Sequence, residues 1–110
     1  MHMNNETNLL FICSRNQWRS PTAEKVYRSK GFNARSAGTS PNAKKTVSEN
    51  DIHWSSHVFV MEKKHKQRLL AKFPRSFQYK KIIVLDIPDD YQFMDEELVA
   101  ILNDVVEHHL

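Results

Sequence analysis

The only cysteine of the chain and an arginine six positions after it constrain the fold more than any other feature. Cys13 follows the apolar run from Leu9 to Ile12, which is typical of a buried strand. The five residues between Cys13 and Arg19 are about enough to wrap the backbone once around a tetrahedral oxyanion. Their N–H groups would then point at the oxyanion, and the arginine side chain would complete the binding loop. The positive potential of these groups would also favour the thiolate form of Cys13. The spacing therefore predicts a phosphate-binding loop built around a nucleophilic sulfur.

A helix signal follows this loop directly. Ser20 suits an N-cap, and Pro21 suits the first helical position, where no N–H donor is needed. Ala23, Val26 and Tyr27 then give an apolar face at helical spacing. The positive end of the helix would point at the cysteine and at a bound phosphate. The alternative is a core cysteine that merely ends a strand, which is the commoner fate of cysteine in general.

At these positions the chain resembles the low-molecular-weight protein tyrosine phosphatases. The family signature C-x-G-N-x-C-R-S-P follows a first strand, and this sequence reads CSRNQWRSP from Cys13 to Pro21. The family's A-E after the loop corresponds to Ala23 and Glu24, and its S-A-G-T segment corresponds to residues 36–39. The resemblance covers most of the chain in order. It implies the fold of that family and its activity, the hydrolysis of phosphotyrosine.

The resemblance also implies roles for individual residues. Cys13 would attack phosphorus, and Arg19 would clamp the equatorial oxygens. Ser20 would donate a hydrogen bond to the sulfur and help it leave in the second step. Asn16 would hold the shape of the loop through Ser20 and Ser36. The residues expected to surround the phosphate are Ser14, Arg15, Asn16, Gln17, Trp18 and Arg19.

Two loop positions depart from the family pattern. Arg15 replaces a glycine, which is tolerable where the backbone at that residue does not require a positive φ. Trp18 replaces a second cysteine, so the internal disulfide that protects many members from oxidation cannot form. The chain is also shorter than the usual family domain, chiefly between Ser40 and His57. We therefore expect a short, divergent member.

A second group of candidate residues follows the fourth expected strand. Expelling an alkoxide or phenoxide from phosphate requires a proton, which a carboxylic acid near the thiolate can supply. In the family this acid is the Asp of a D-P pair. Asp86 matches this acid by its position at the strand end, and we prefer it as the proton donor. Asp89 matches the acid by its closeness to Pro88 and Tyr91. Alternatively, these acids only cap or solubilise a loop. Tyr91 and Trp18 are the candidates for aromatic walls of a substrate pocket.

The rest of the chain alternates strands and helices without a linker or an internal repeat. This order predicts an α/β fold, a three-layer sandwich with a four-stranded parallel sheet, in one domain over residues 1–110. Residues 1–7 are expected to form a flexible tail. The expected strands are Leu9 to Ile12, Asn33 to Ala37, His57 to Met61 and Lys81 to Leu85. The first expected helix begins at Ser20, and a short capped turn is expected over Ser48 to Ile52. Two further helices are expected over Glu62 to Phe73 and over Asp95 to about His108.

Composition and charge narrow the functional classes. A single cysteine excludes an internal disulfide framework, and neither a membrane span nor a signal peptide is recognisable, so we expect a cytoplasmic protein without a membrane partner. The formal net charge is +3, and basic residues concentrate between Glu62 and Lys81. We interpret this stretch as the solvated face of a helix, with nucleic-acid binding as the alternative. The histidines lack partner ligands at a recognised spacing, so no metal is expected.

These patterns favour a phosphomonoesterase that works through a phosphocysteine, without a cofactor or a metal, on phosphotyrosine proteins or small aryl phosphates. Three alternatives stay open. An arsenate reductase would share the fold and loop but would depend on external thiols. A phosphocarrier would hold the phosphate for transfer, and a phosphate-binding module would not turn it over. The sequence leaves the oligomeric state open.

Overall fold

Four parallel strands form one sheet, and helices cover both of its faces. The structure is a computed structural model and describes residues 7–110. In the expected tail, residues 1–6 lie outside the described residues, and Thr7 directly precedes β1. In chain order the elements are β1 (Asn8–Cys13), α1 (Arg19–Ser29), β2 (Asn33–Gly38), α2 (Glu49–Trp54), β3 (His57–Val60), α3 (Lys63–Lys72), β4 (Ile82–Val84) and α4 (Glu96–Glu107). The strands lie in the sheet in the order β2-β1-β3-β4.

Strand β1 lies inside the sheet and separates two hydrophobic cores. Successive side chains of a strand point to opposite faces, and on one face Leu9 and Phe11 pack with α1 and α4. On the other face Leu10 and Ile12 pack with α2 and α3. Both faces of β1 are buried, as its unbroken apolar sequence requires in a parallel sheet. The predicted three-layer sandwich and parallel sheet are confirmed.

Local sequence signals explain where two of the four helices in residues 7–110 begin. Ser48 caps α2: its hydroxyl accepts the Asp51 N–H at 3.2 Å, and the Asp51 carboxylate accepts the Ser48 N–H at 3.2 Å. The Asp95 carboxylate caps α4 by accepting the Glu97 N–H at 2.8 Å. Both starts agree with the predicted elements.

The start of α1 differs from the prediction. The helix begins at Arg19, and Trp18 occupies the N-cap position without a side-chain hydrogen bond. Ser20 therefore lies inside the first turn and is not the N-cap. Its hydroxyl instead lies 3.0 Å from the Cys13 sulfur. The sequence suggested a cap because serine is a common N-cap residue. In the folded chain the Ser20 hydroxyl contacts the sulfur instead.

The strand order places a crevice at the carboxyl ends of β1 and β3. The connection after β1 leads to β2 on one side, whereas the connection after β3 leads to β4 on the other side. Ligands of open α/β sheets bind where neighbouring connections diverge in this way. Cys13 ends β1 at this crevice, and Glu62 follows the end of β3. No helix within residues 7–110 has both the length and the apolar character needed to cross a membrane.

Candidate active site

The loop from Ser14 to Trp18 joins β1 to α1 and turns through a left-handed residue. Asn16 adopts a φ of 54°, a conformation that asparagine tolerates better than most residues. Arg15 does not adopt a positive φ, so an arginine in place of the family's glycine causes no backbone strain there. The Asn16 side chain donates hydrogen bonds to Ser20 Oγ at 3.0 Å and to Ser36 Oγ at 2.9 Å. The asparagine therefore ties the loop to both α1 and β2.

Ser20 is oriented to donate a hydrogen bond to the Cys13 sulfur. Its Oγ already accepts a hydrogen bond from Asn16, so its single proton can go to Cys13 Sγ at 3.0 Å or to Ala37 O at 3.4 Å. The sulfur is the nearer acceptor. Cys13, Asn16 and Ser20 are all buried. This arrangement would stabilise negative charge on the sulfur.

Gly38 allows the loop to lie close to the end of β2. It pairs with Cys13 in the register of the sheet. A Cβ atom at Gly38 would lie 2.5 Å from Ser14 O, 2.5 Å from the Ala43 Cβ and 3.0 Å from Asn16 N. A larger residue would therefore push the phosphate loop away from β2.

Arg19 is buried and is held by three groups from outside the loop. Its Nη1 donates to Glu62 Oε2 at 2.5 Å and to Ile87 O at 2.8 Å, and its Nε lies 3.6 Å from Asp89 Oδ1. Burial alone would raise the pKa of Glu62, but the hydrogen bond and charge of Arg19, with the charge of Lys64, hold that pKa below its ordinary value. Glu62 is therefore an anion that fixes the guanidinium. The sequence patterns assign this glutamate no role at the site, although its position two residues after the end of β3 is a signal for one.

His65 connects α3 to the loop from a fully buried position. Its Nδ1 accepts the Glu62 N–H at 3.0 Å, so in the neutral ring Nε2 carries the proton and donates to Ser14 Oγ at 2.8 Å. Burial, and then the charge of Arg19, lower the pKa of His65 to about 4. The imidazole is therefore neutral near pH 7. The sequence alone gave no indication of its contact with Ser14.

The structure places Asp89 at the Cys13 cavity and Asp86 outside it. Asp89 lines the cavity together with Cys13, whereas Asp86 lies in a separate hollow beside Lys63 and Pro88. The expectation that Asp86 is the nearer carboxylate therefore disagrees with the placement. The reason is the strand order: β3 lies between β1 and β4, so a residue at the end of β4 adjoins β3. After the end of β4, the chain needs several more residues to cross β3 and reach the loop after β1, and Asp89 lies at that point.

The cavity above Cys13 is narrow. Its volume is about 30 Å³, well below the roughly 300–1,000 Å³ of pockets that enclose whole drug-sized ligands. It can therefore enclose only a small group, and the rest of a ligand must lie outside. Trp18 lines it, but Tyr91 does not; the Tyr91 hydroxyl donates to Glu97 at 2.8 Å. The lining residues are Cys13, Ser14, Arg15, Gln17, Trp18, Arg19 and Asp89.

Other parts of the described chain show no competing chemical site. A larger hollow of about 390 Å³ lies near the start of β2, beside Arg35 and Trp54, and contains no cysteine. Within residues 7–110, no group of three or more His, Cys, Asp or Glu side chains could hold a metal ion.

Comparison with known proteins identifies the fold. No protein-family model and no curated protein matches the sequence. Among solved structures, the chain is similar to the low-molecular-weight protein tyrosine phosphatase of T. tengcongensis, with a TM-score of 0.74, 22% identity and coverage of 93% of this chain and 99% of that one. For the YwlE arginine phosphatase of Geobacillus stearothermophilus the TM-score is 0.73, the identity 23%, and the coverage 94% and 92%.

A third neighbour is the tyrosine phosphatase Wzb of Escherichia coli K30 in complex with phosphate, with a TM-score of 0.74, 19% identity, and coverage of 93% of this chain and 94% of that one. The chain thus has the fold of the low-molecular-weight protein tyrosine phosphatases, as its sequence motifs predict. Its sequence is 19–23% identical to these three neighbours.

Proposed function

We propose that this protein is a cysteine-dependent phosphomonoesterase that hydrolyses aryl phosphates, phosphotyrosine above all. The observation that carries the proposal is the convergence of three groups on one small cavity: the Cys13 sulfur, the Arg19 guanidinium and the Asp89 carboxyl. The Ser20 hydroxyl contacts the sulfur at 3.0 Å. A nucleophile, an anion clamp and a proton donor are the parts that phosphoryl transfer through a covalent intermediate requires. The fold and the phosphatases that share it support the same assignment.

In the first step, the Cys13 thiolate attacks phosphorus and forms an S–P bond while the ester P–O bond breaks. Asp89, as the carboxylic acid, gives its proton to the departing oxygen. Arg19 and the loop N–H groups bind the equatorial oxygens. Glu62 and the Ile87 carbonyl hold Nη1 of Arg19, so they position the guanidinium without touching substrate.

In the second step, water attacks phosphorus and the S–P bond breaks. The Asp89 carboxylate takes the proton of the water, and the Ser20 hydroxyl donates to the sulfur as its negative charge returns. One neighbour, a Cys-to-Ser mutant of the YwlE arginine phosphatase, has a phosphorylated active-site serine, which supports a covalent intermediate on a cysteine in this fold.

The shape of the cavity favours aryl phosphates. Only the phosphoryl group fits inside, so the leaving group must lie against the rim, where Trp18 is partly exposed. A flat ring can stack there. The partner is accordingly a phosphotyrosine protein or a small aryl phosphate.

Turnover of p-nitrophenyl phosphate and of a phosphotyrosine peptide tests the proposal. Cys13→Ser should lose activity by a factor on the order of 10⁴ or more, because a serine hydroxyl is a poor nucleophile here. Arg19→Lys should lose about 10²–10³-fold, because an ammonium cannot reproduce a planar fork. Arg75→Lys, a change at an exposed position beyond α3, should behave as the wild type. No turnover by folded wild-type protein would favour a carrier or binding module.

Two further substrates distinguish the nearest enzyme alternatives. Arsenate with an external thiol tests arsenate reduction, and a phosphoarginine peptide tests the activity named for the YwlE neighbour. The proposal expects the phosphotyrosine peptide to give the highest kcat/KM of the three. A higher value for either competitor would replace the proposed substrate class.

A further inference from the structure

A surface groove adjoins the catalytic cavity and shares two of its walls. Gln17 and Trp18 line both the cavity and this groove, whose volume is about 430 Å³. Pro21 and Phe93 add apolar surface to it, and Lys44 lines it as well. We call it the flanking groove. Because the cavity encloses only a phosphoryl group, a polypeptide that carries that group can continue from the cavity along these shared walls.

Two cations next to the shared walls have no acidic partner. Within residues 7–110, neither the Arg15 guanidinium at the cavity nor the Lys44 ammonium in the groove forms a hydrogen bond or an ion pair. Both residues are exposed. Their backbones are joined, since the Lys44 N–H donates to Arg15 O at 3.0 Å. The two positive charges therefore belong to one small part of the surface.

The nearby acids leave this positive charge uncompensated. Glu24 lines the groove but is paired with Arg28 at 2.8 Å, and it accepts the Ser36 hydroxyl at 2.5 Å. Glu62 is paired with Arg19. Asp89 is the remaining acid at the cavity, and it lies 3.6 Å from Arg19 Nε.

We propose that the flanking groove binds the residues next to the phosphorylated one, and that Arg15 and Lys44 select acidic side chains there. The substrate is therefore a phosphoprotein segment with Asp or Glu beside the phosphotyrosine. An extended chain advances about 3.3–3.6 Å per residue, so the neighbouring one or two residues are those that meet these cations. This inference rests on the proposed phosphatase function and adds its substrate preference.

Three phosphotyrosine peptides that differ only at the two flanking positions test the inference. Exposed ion pairs are worth up to about 1 kcal/mol each, or roughly fivefold, so kcat/KM should be about fivefold to tenfold higher for the Glu peptide than for the Gln peptide. The Lys peptide should be poorer than both. High salt should reduce the preference for Glu, because exposed charges are screened.

Variants locate the preference on the surface. Arg15→Gln and Lys44→Gln should each reduce the ratio of Glu to Gln peptide to about twofold, whatever their effect on turnover as such. Arg75→Gln removes the same charge from an exposed position outside the groove and should leave the ratio unchanged. An equal loss of preference in Arg75→Gln, or no preference in the wild type, would overturn the inference.

Binding to the Cys13→Ser variant separates this inference from the catalytic one. Calorimetric titration with the same three peptides should reproduce the order Glu, Gln, Lys without any turnover. If wild-type protein hydrolyses p-nitrophenyl phosphate but neither assay shows a charge preference, the groove assignment fails and the phosphatase stands. If binding shows the preference and no aryl phosphate is hydrolysed, the phosphatase fails and the groove stands.

Discussion

Individual residues at the Cys13 site have partners that come from distant parts of the chain. Arg19 contacts Glu62, Asp89 and the Ile87 carbonyl, and Asn16 contacts Ser36. The sequence predicted that the loop forms because its spacing, its asparagine and its flanking elements are local signals. It did not predict Glu62 or His65, because their roles exist only once β3 lies beside β1.

Replacement of Asp89 and Asp86 by asparagine, one at a time, tests which carboxyl acts as the general acid. A general acid contributes about 10²–10⁴-fold when the leaving group is poor, so Asp89→Asn should lower kcat/KM for phenyl phosphate about 10²-fold or more. For p-nitrophenyl phosphate, whose leaving group departs more easily, the loss should stay below about tenfold.

Asp86→Asn is the matched control for that experiment. This carboxylate lies outside the cavity, so its removal should have a small and uniform effect on both esters. A selective loss with phenyl phosphate in Asp86→Asn, and not in Asp89→Asn, would return the role to Asp86.

At the scale of elements, most boundaries follow from local sequence. Ser48 and Asp95 mark helix starts, and apolar runs mark β1, β3 and β4. The start of α1 was misplaced because the Ser20 hydroxyl binds the sulfur of Cys13, a contact that no capping rule includes. The C-terminal end of α2 is likewise completed from a distance, by Lys80.

Lys80 should stabilise α2 through two carbonyl oxygens. Its Nζ donates to Ile52 O at 2.5 Å and to Ser55 O at 2.6 Å, and burial lowers its pKa. Lys80→Met removes a charged donor from both carbonyl oxygens, although Ile52 O keeps the Ser55 hydroxyl at 2.7 Å. The free energy of unfolding in urea should therefore fall by about 1.5 kcal/mol. Lys81→Met, at the exposed neighbouring position, should change it by less than about 0.5 kcal/mol. Equal effects would contradict a role for Lys80 at the helix end.

At the scale of the whole molecule, the sheet order determines which residues meet at the site. The alternation of strands and helices predicts a parallel sheet, but it does not state that β3 separates β1 from β4. That one fact of topology brings Asp89 rather than Asp86 to the cavity. The order of strands depends on packing across both cores, which local sequence patterns do not specify.

The buried His65 should make the stability of the whole domain depend on pH. Its pKa is about 4 in the folded protein and about 6.5 when unfolded, so the unfolded chain binds more protons between these values. The stability that the neutral His65 contributes is therefore fully present above pH 6.5 and is lost as the pH falls toward 4. Between pH 7 and pH 5 the loss from His65 should be about 2 kcal/mol of unfolding free energy.

Urea unfolding of His65→Gln measures this contribution. The variant should lose much less stability between pH 7 and pH 5 than the wild type. A smaller slope should remain, because the pKa of His57 is also lowered, by burial and by the charge of His109. His53→Gln, at an exposed position, should keep the full wild-type slope. An unchanged slope in His65→Gln would mean that His65 does not carry the pH dependence.

Phosphorylation of Cys13 during turnover is the step on which the proposed mechanism depends most. Asp89→Asn should still release p-nitrophenolate but hydrolyse the intermediate slowly, because it lacks the carboxylate that accepts the proton of water. Rapid acid quench during reaction with p-nitrophenyl phosphate, followed by mass spectrometry of peptides, should show one added phosphoryl group on the peptide that contains Cys13. We expect a burst of product equal to the enzyme concentration, with the adduct on Cys13. Continued turnover with no adduct, or an adduct on another residue, would contradict it.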